Sequence, residues 1–489
     1  MEPNQSSNAW LIDGAGLRLL RRSTQPLALQ LLEQLKAALQ TAERGARLPP
    51  SRALAQALGV GRNTVLAAYE RLADEGFIEG RAGAGTRLLQ PQLAPAQPPL
   101  PLSPAPERWP QLPLPRGGHT GPPRPFAFGL PPLDLFPCAD WARLQRRLWR
   151  RCERGELPLG YGLAEGEPRL RSALAAWLRH ARGLRCTPEQ LLITSGAQQA
   201  FALLGLALLE PGEPVAVEAP GYHASWAALQ LGGARPVGVP VDEQGLRPAA
   251  LQALGSGCRM ALVTPSHQWP TGACMGLERR LALLDWAQRQ PAWVVEDDYA
   301  GEYRFDGPPL PALSSLDRHG RCVYVGSFSK LLLPGLRLGY VVLPPALLPQ
   351  LRKVRAALDR QPPQFEQAVL ADFIEQGLLA RHLRRCRRAA GARRQALLQA
   401  WGRAFGERWP LQAPASGLNV YLPLSGPAEE ADLLGRAREA GLVLGGTQEL
   451  LQLCRQPGAR AGLVVGFGAS TEAQLRAAVG KLAQAWQGA

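Results

Sequence analysis

Residues 322–340 read CVYVGSFSKLLLPGLRLGY, a strand pattern that runs directly into a lysine. CVYVGSF is β-branched and aromatic and closes on a small-residue turn, the pattern of a buried strand. Just beyond it stands Lys330, in a chain whose lysines are Lys36, Lys330, Lys353 and Lys481. Nearly all positive charge is carried by arginine, so a lysine inside a motif is not filler. Upstream, LLIT (191–194), PVAVE (214–218), ALVTP (261–265) and WVVEDDY (293–299) repeat the strand pattern, and SGAQQAFALLGLALL after LLIT reads as a helix. This alternation predicts an α/β fold with a mostly parallel sheet and helices on both faces. In such folds ligands settle at the carboxyl ends of the strands.

The residues placed there are chemically loaded. A lysine in a partly buried site forms a Schiff base with an aldehyde, the linkage that anchors pyridoxal phosphate (PLP). Asp297, at the end of WVVEDDY, is placed to keep a pyridine nitrogen protonated, which makes the ring an electron sink. Tyr299 suits a donor to the ring's phenolic oxygen. Ser195, Gly196, Ala197 and Gln198 lead into a helix whose free backbone N–H groups form a phosphate seat. Ser327, Ser329 and Arg337 complete that seat, the arginine adding charge and a fork of donors. Tyr222, in Pro220-Gly221-Tyr222-His223, offers an aromatic face for the ring. Each piece has a bland alternative, since an acidic run is usually a solvated loop and a serine-glycine turn is commonplace. Their order after successive strands carries the PLP reading.

Upstream, residues 91–125 (PQLAPAQPPLPLSPAPERWPQLPLPRGGHTGPPRP) are crowded with proline and glycine. Such a composition builds no packed core and predicts a semi-stiff linker. The expected division is therefore a small domain over 16–90, the linker, and a large domain over 126–488. A chain of 489 residues is too long for one ordinary core.

In the small domain, LALQLLEQLKAAL (27–39) carries apolar residues at helical spacing. Ser51 is placed to cap a second helix running to about Leu58, and Gly59-Val60-Gly61 makes a turn. A third helix from Arg62 to about Glu75 puts Val65, Tyr69 and Leu72 on one face, and Gly76 ends it. Phe77-Ile78 and Thr86-Arg87-Leu88 flank Ala82-Gly83-Ala84-Gly85 as a short hairpin. Helix, tight turn, helix and a hairpin wing present a recognition helix to the major groove, with Arg62 and Asn63 suited to guanine and adenine edges. The alternative is a three-helix domain for protein contacts with its arginines merely solvated.

The formal charge of +15 suits a phosphate partner but fits solvated arginine faces equally. Cysteines 138, 152, 186, 258, 274, 322, 386 and 454 are scattered, which indicates neither a metal site nor a disulfide framework. MEPNQSSNAW carries no basic stretch followed by an apolar core, and no uncharged apolar run reaches spanning length. A cytoplasmic protein without a membrane partner is expected.

The string from Arg47 to Arg87 closely resembles the DNA-binding domain of the GntR superfamily. By that likeness Arg47, Ser51, Arg52, Arg62, Asn63, Thr64 and the wing-tip Gly83 lie on operator DNA; a serine common at the start of the recognition helix is Gly61 here. Residues from about Phe126 to Trp486 resemble fold-type I aminotransferases, through FGLPPLDLFP (128–137), YGLAEGEPRLR (161–171), TSGAQQA (194–200), PGYH (220–223), TPSHQWPTG (264–272), EDDYAGEYRF (296–305) and SFSKLLLPGLRLGY (327–340). The pairing resembles the MocR-type subgroup of GntR regulators. The resemblance implies that Lys330 bonds PLP, Asp297 pairs with the pyridine, Tyr299 with the phenolic oxygen, and Tyr161 with the other subunit's phosphate in a head-to-tail homodimer.

Two positions depart from the aminotransferase pattern. Val464 stands where an arginine clamps an amino-acid carboxylate, with Arg455 and Arg460 as nearby alternatives, and Trp269 stands where an asparagine touches the cofactor. A valine binds no carboxylate, which argues against efficient transamination. The arginine-dense run Arg381–Arg394 reads as a solvated face rather than as a DNA surface. The expected function is a PLP-binding, DNA-binding transcription regulator whose effector is an amine, an amino acid or PLP itself. The alternatives are a working PLP-dependent aminotransferase with an incidental DNA-binding domain, and a DNA-binding protein with an empty pseudo-enzyme domain.

Overall fold

The computed structural model describes residues 16–39, 46–81, 85–89, 121–157, 159–255, 257–307, 311–450 and 461–487. The chain divides into two compact units between Arg108 and Trp109.

The first unit contains α1 (Leu27–Leu39), β1 (Arg47–Leu48), α2 (Ser51–Leu58), α3 (Arg62–Asp74), β2 (Ile78–Arg81) and β3 (Gly85–Leu88). Leu31, Leu32 and Leu35 of α1 meet Leu54 of α2 and Val65, Ala68 and Leu72 of α3 in one small core. Tyr69 adds its ring to that core and donates its hydroxyl to the Pro49 carbonyl at 2.8 Å, fixing the entry to α2. Antiparallel β2 and β3 pair from Ile78↔Leu88 to Arg81↔Gly85. A third strand not foreseen in the sequence, β1, pairs with β3 through Arg47↔Arg87 and Leu48↔Thr86.

One local expectation is corrected. Ser51 does not cap α2: the N-cap is Pro50, at φ −54° and ψ 139°, with no side-chain cap bond. Proline's fixed φ already provides the half-extended entry and Ser51 becomes the first helical residue. Its hydroxyl instead lies 3.3 Å from Arg62 Nε, which donates to it.

In the second unit, helix α4 (Cys138–Glu153) precedes an eight-stranded sheet. Its strands are β4 (Leu191–Thr194), β5 (Pro214–Ala219), β6 (Arg235–Asp242), β7 (Gly245–Leu246), β8 (Met260–Val263), β9 (Trp293–Asp298), β10 (Cys322–Ser327) and β11 (Gly339–Val342), in the order β4-β11-β10-β9-β8-β5-β6-β7. The stretch β10-β9-β8-β5-β6 is parallel, and the flanking pairs β10–β11, β11–β4 and β6–β7 are antiparallel. β-strand alternation sends Val215, Val217, Val295, Val323 and Val325 to one face, where they meet helix α5 (Ala197–Leu208) through Phe201 and Leu204. Ala216, Val294, Val263 and Ala261 go to the other face, against Leu283, Trp286 and Ala287 of another helix. Both faces are therefore covered, as a mainly parallel sheet requires. The 28-residue helix α6 (Leu378–Phe405) packs with a second sheet of three strands, β12 (Asn419–Pro423), β13 (Gly445–Gly446) and β14 (Gly462–Gly466), through Trp401, Leu397, Leu422 and Leu463. Among the described residues no helix is long and apolar enough to cross a membrane.

Candidate functional site

The alternation that builds the core also builds the site. Asp297 follows Val295 by two residues on β9, and Ser327 follows Val325 by two on β10, so both point to the face that carries α5. The neighbouring carboxylates point the other way and are occupied. Asp298 Oδ2 lies 2.6 Å from Arg182 Nη2 and accepts from the Tyr324 hydroxyl at 2.7 Å, and Glu296 accepts from the N–H groups of Leu313 and Ser314, both at 2.8 Å. Asp297 alone of this acidic run lines a cavity of about 340 Å³. Lys330, Tyr299, Tyr222, Ser327, Ser329, Arg337, Ala197 and Gln198 line it too.

Three buried polar atoms of residues lining this cavity have no hydrogen-bond partner among the described residues: Asp297 Oδ1, the Tyr299 hydroxyl and the Trp269 indole Nε1. An orphaned buried acceptor and donor in one cavity are costly unless a ligand meets them. Burial raises Asp297 from the ordinary aspartate value to about 8, with Asp298 and Glu218 adding to the rise. Burial lowers the Lys330 ammonium to about 8, opposed by the charge of Asp297. Backbone anchors the lysine, since the Tyr303 hydroxyl donates to the Lys330 carbonyl at 2.9 Å.

The seat at the start of α5 rests on backbone shape. Gly196 caps the helix at φ +99°, and a Cβ there would lie 3.1 Å from Arg337 Nη2. Arg337 is itself left-handed at φ +50° and donates to the Ser195 carbonyl at 2.8 Å. Gly339 brings β11 close behind, where a Cβ would stand 2.8 Å from Gly196 Cα. Ser195 and Gly196 thus frame the seat without lining the cavity. Tyr161 lies outside the cavity, 76% exposed, with the Arg360 guanidinium 3.7 Å above its ring.

Sequence reasoning passed over Phe128, Gly129, Leu130 and Pro334, which also line the cavity. Gly129 closes on the lysine: a Cβ there would lie 3.7 Å from Lys330 Nζ, and its N–H donates to Asn419 Oδ1 at 3.0 Å. The remaining wall is aromatic. Trp269 lies 5.7 Å from Phe128 and 6.2 Å from Tyr299 between ring centroids. Behind it, fully buried Val464 packs with Trp269 and Tyr421. Arg455 and Arg460 lie outside the described residues.

In the first unit, Arg47, Arg52, Arg62 and Asn63 are exposed, and Ser51 and Thr64 are half-buried. The N-cap of α3 is Gly61, with no side-chain cap bond, so the helix start is open to an outside acceptor. Gly83 lies outside the described residues. The Arg381–Arg394 run is in part structural. Arg387 donates to the Glu302 carbonyl at 2.9 Å, Arg393 meets Asp134 and the Gly468 carbonyl at 2.6 Å each, and Arg394 meets Asp306 at 3.2 Å.

The lowered lysine gives a pH signature. Below about pH 8 the Lys330 amine is protonated and unreactive, and above it the free base attacks aldehydes. Uptake of PLP by cofactor-free protein should accelerate as pH rises through about 8 and then level off in stopped-flow absorbance. A rate still climbing beyond pH 10 contradicts that environment.

A family model described as Aminotransferase class I and II matches residues 130–454, and one described as Bacterial regulatory proteins, gntR family, matches residues 27–88. The "Probable rhizopine catabolism regulatory protein MocR" of Rhizobium meliloti is 36% identical over 440 residues, 87% of each chain. The pyridoxine biosynthesis regulator PdxR of Corynebacterium glutamicum is 31% identical, covering 90% of this chain and 91% of its own. Among solved structures, the α-aminoadipate aminotransferase LysN of Thermus thermophilus, complexed with N-(5'-phosphopyridoxyl)-L-leucine, superposes with a TM-score of 0.67 at 32% identity, over 74% of this chain and 92% of that one.

Proposed function

Because the chain belongs to the MocR-type subgroup of GntR regulators, we propose that its large unit, over 126–488, holds PLP on Lys330 and senses an amine, while its small unit, over 16–90, grips operator DNA. The single observation that supports the first half best is the pair of orphaned atoms, Asp297 Oδ1 and the Tyr299 hydroxyl, in the cavity that Lys330 lines. They match the two polar positions of a pyridine ring: Asp297 accepts from its nitrogen and Tyr299 donates to its phenolic oxygen. Arg337, Ser327, Ser329 and the N–H groups of Ala197 and Gln198 hold the phosphate, framed by Ser195 and Gly196, and Tyr222 covers the ring. Tyr161, exposed on one subunit, reaches the phosphate of a second in a head-to-tail dimer. When bound, PLP supplies an aldehyde that captures primary amines and a ring that withdraws electrons. In the small unit Arg62, Asn63 and Thr64 read base edges, and Arg47, Ser51, Arg52 and the wing-tip Gly83 hold the backbone. The protein works in the cytoplasm, where the operator is.

Among the described residues, the cations lining the cavity are Lys330 and Arg337, both engaged by the cofactor in this reading. Beyond the residues assigned to the cofactor, the wall is Phe128, Gly129, Leu130, Trp269 and Pro334, with Val464 behind. An ionised carboxylate buried there meets no further cation among the described residues and only the Trp269 indole N–H as an unpaired donor, and so costs several kcal/mol. The effector that fits is therefore a primary amine without a carboxylate, in preference to an amino acid. A ligand regulates only through unequal affinity for two states.

The test pairs each amine with its carboxylated parent, 2-phenylethylamine with phenylalanine and propylamine with 2-aminobutyrate. The amine should shift the visible band of the holoprotein at a concentration at least about tenfold lower, and should change affinity for the protein's own promoter fragment by roughly 5- to 150-fold. Equal or stronger response to the amino acids overturns the effector class. Rapid multiple turnover between an amino donor and a keto acid, unaffected by deleting residues 1–90, would instead favour an aminotransferase.

A further inference from the structure

Helix α4 buries Trp141, Leu144 and Leu148 and turns its opposite face to solvent. That face carries Arg143, Arg146, Arg147, Arg150, Arg151 and Arg154, which together with Glu156 line one shallow cleft of about 510 Å³. Like charges at i, i+4, such as Arg143 with Arg147 and Arg146 with Arg150, destabilise a helix. The macrodipole accounts for basic residues in the last turn, but not for those in the middle. Counter-charges are few: Asp140 lies 3.1 Å from Arg143, and Glu156 serves both Arg151 at 3.3 Å and Arg154 at 3.4 Å. Arg146, Arg147 and Arg150 are exposed and have no ion pair or hydrogen bond among the described residues. Several arginines of α6 contrast with them, bonded to carbonyls and carboxylates of their own unit.

We infer that this face of α4 is a second, sequence-independent DNA surface, which holds backbone phosphates of the duplex. The row from Arg143 to Arg154 rises about 16 Å at 1.5 Å per residue. Duplex DNA offers roughly nine phosphates over that span, at one charge per about 1.7 Å, so the row matches a polyanion better than a single small anion. Arginine's fork of donors pairs with phosphate oxygens in two-pronged fashion. The occupant is duplex DNA, which the other unit of the same chain brings to high local concentration. This inference rests on the DNA-binding reading of the small unit, yet separates from it in experiment, because one contact reads sequence and the other reads salt.

The experiment compares full-length holoprotein with a triple variant, R146Q/R147Q/R150Q, and with a control that removes equal charge from exposed positions of α6, R381Q/R384Q/R388Q. Affinity for the promoter fragment and for a scrambled duplex is measured across a salt series. The α4 variant should flatten the slope of log affinity against log salt by about 2 to 3, at about 0.9 per lost phosphate contact. It should weaken both duplexes by the same factor, with visible band and melting temperature unchanged. A slope equal to wild type, or a loss no larger than in the α6 control, overturns the inference; so does a loss confined to the promoter sequence. A wild type that binds neither duplex removes both this surface and the small unit's assignment, whereas Arg62 variants that lose sequence preference and keep the salt slope leave the α4 surface standing.

Discussion

Protein carrying Lys330→Ala, purified beside the parent, is expected to be colourless, and its visible band should not return on adding PLP and dialysing. The variant removes the one amine that lines the cavity among the described residues, so the cofactor keeps its hydrogen-bonded seat but loses its covalent hold. Folding should survive, because what ties residue 330 to Tyr303 is its backbone carbonyl, which alanine retains. The response of operator affinity to 2-phenylethylamine should vanish as well, while basal binding to the promoter fragment stays near the parent's. An unchanged band in the variant refutes the assignment of Lys330. A normal amine response without the band would refute the link between cofactor and regulation.

Arg62→Ala should weaken binding to the promoter fragment by roughly 5- to 150-fold, the range for one bidentate base contact worth about 1–3 kcal/mol. Binding to a scrambled duplex should fall far less, since that binding is carried by phosphate contacts. Arg62 is exposed at the open start of α3 and its one side-chain bond among the described residues is the 3.3 Å contact to Ser51 Oγ, so its removal leaves the small core of Leu54, Val65 and Leu72 intact. Fluorescence anisotropy on both duplexes, with circular dichroism as the control for folding, measures the two effects. Equal losses on the two duplexes would recast Arg62 as a phosphate contact, and no loss on either would remove it from the interface.

The sequence made some of these features legible and hid others for physical reasons. Strands β4, β5, β8, β9 and β10 announce themselves because each is buried on both faces and reads as a short apolar run. Asp297 could be separated from Asp298 only by period-two alternation along β9, which turns one carboxylate to the cavity and the other to Arg182. β11 lay concealed inside the lysine motif, as GYVV with no turn signal before it except Pro334-Gly335, and its antiparallel pairing with β10 and β4 is a non-local event. β6 is only partly buried, with prolines at 236 and 240, and gives no clean strand signal. The Gly129–Asn419 hydrogen bond joins residues 290 apart, beyond the reach of any local pattern. At α2 the residue type was read correctly and its role was not, because Pro50 already sets the entry that a serine cap would otherwise stabilise.

Covalent attachment of PLP at Lys330 is open to a chemical trap. Holoprotein reduced with borohydride, digested with trypsin and examined by mass spectrometry should carry one phosphopyridoxyl group per chain. Because trypsin does not cut after a modified lysine, the group should appear on the uncut peptide Cys322–Arg337, CVYVGSFSKLLLPGLR. An adduct on Lys36, Lys353 or Lys481, or no adduct in a protein that still binds its operator and answers to amines, rules out Lys330 as the residue that holds PLP.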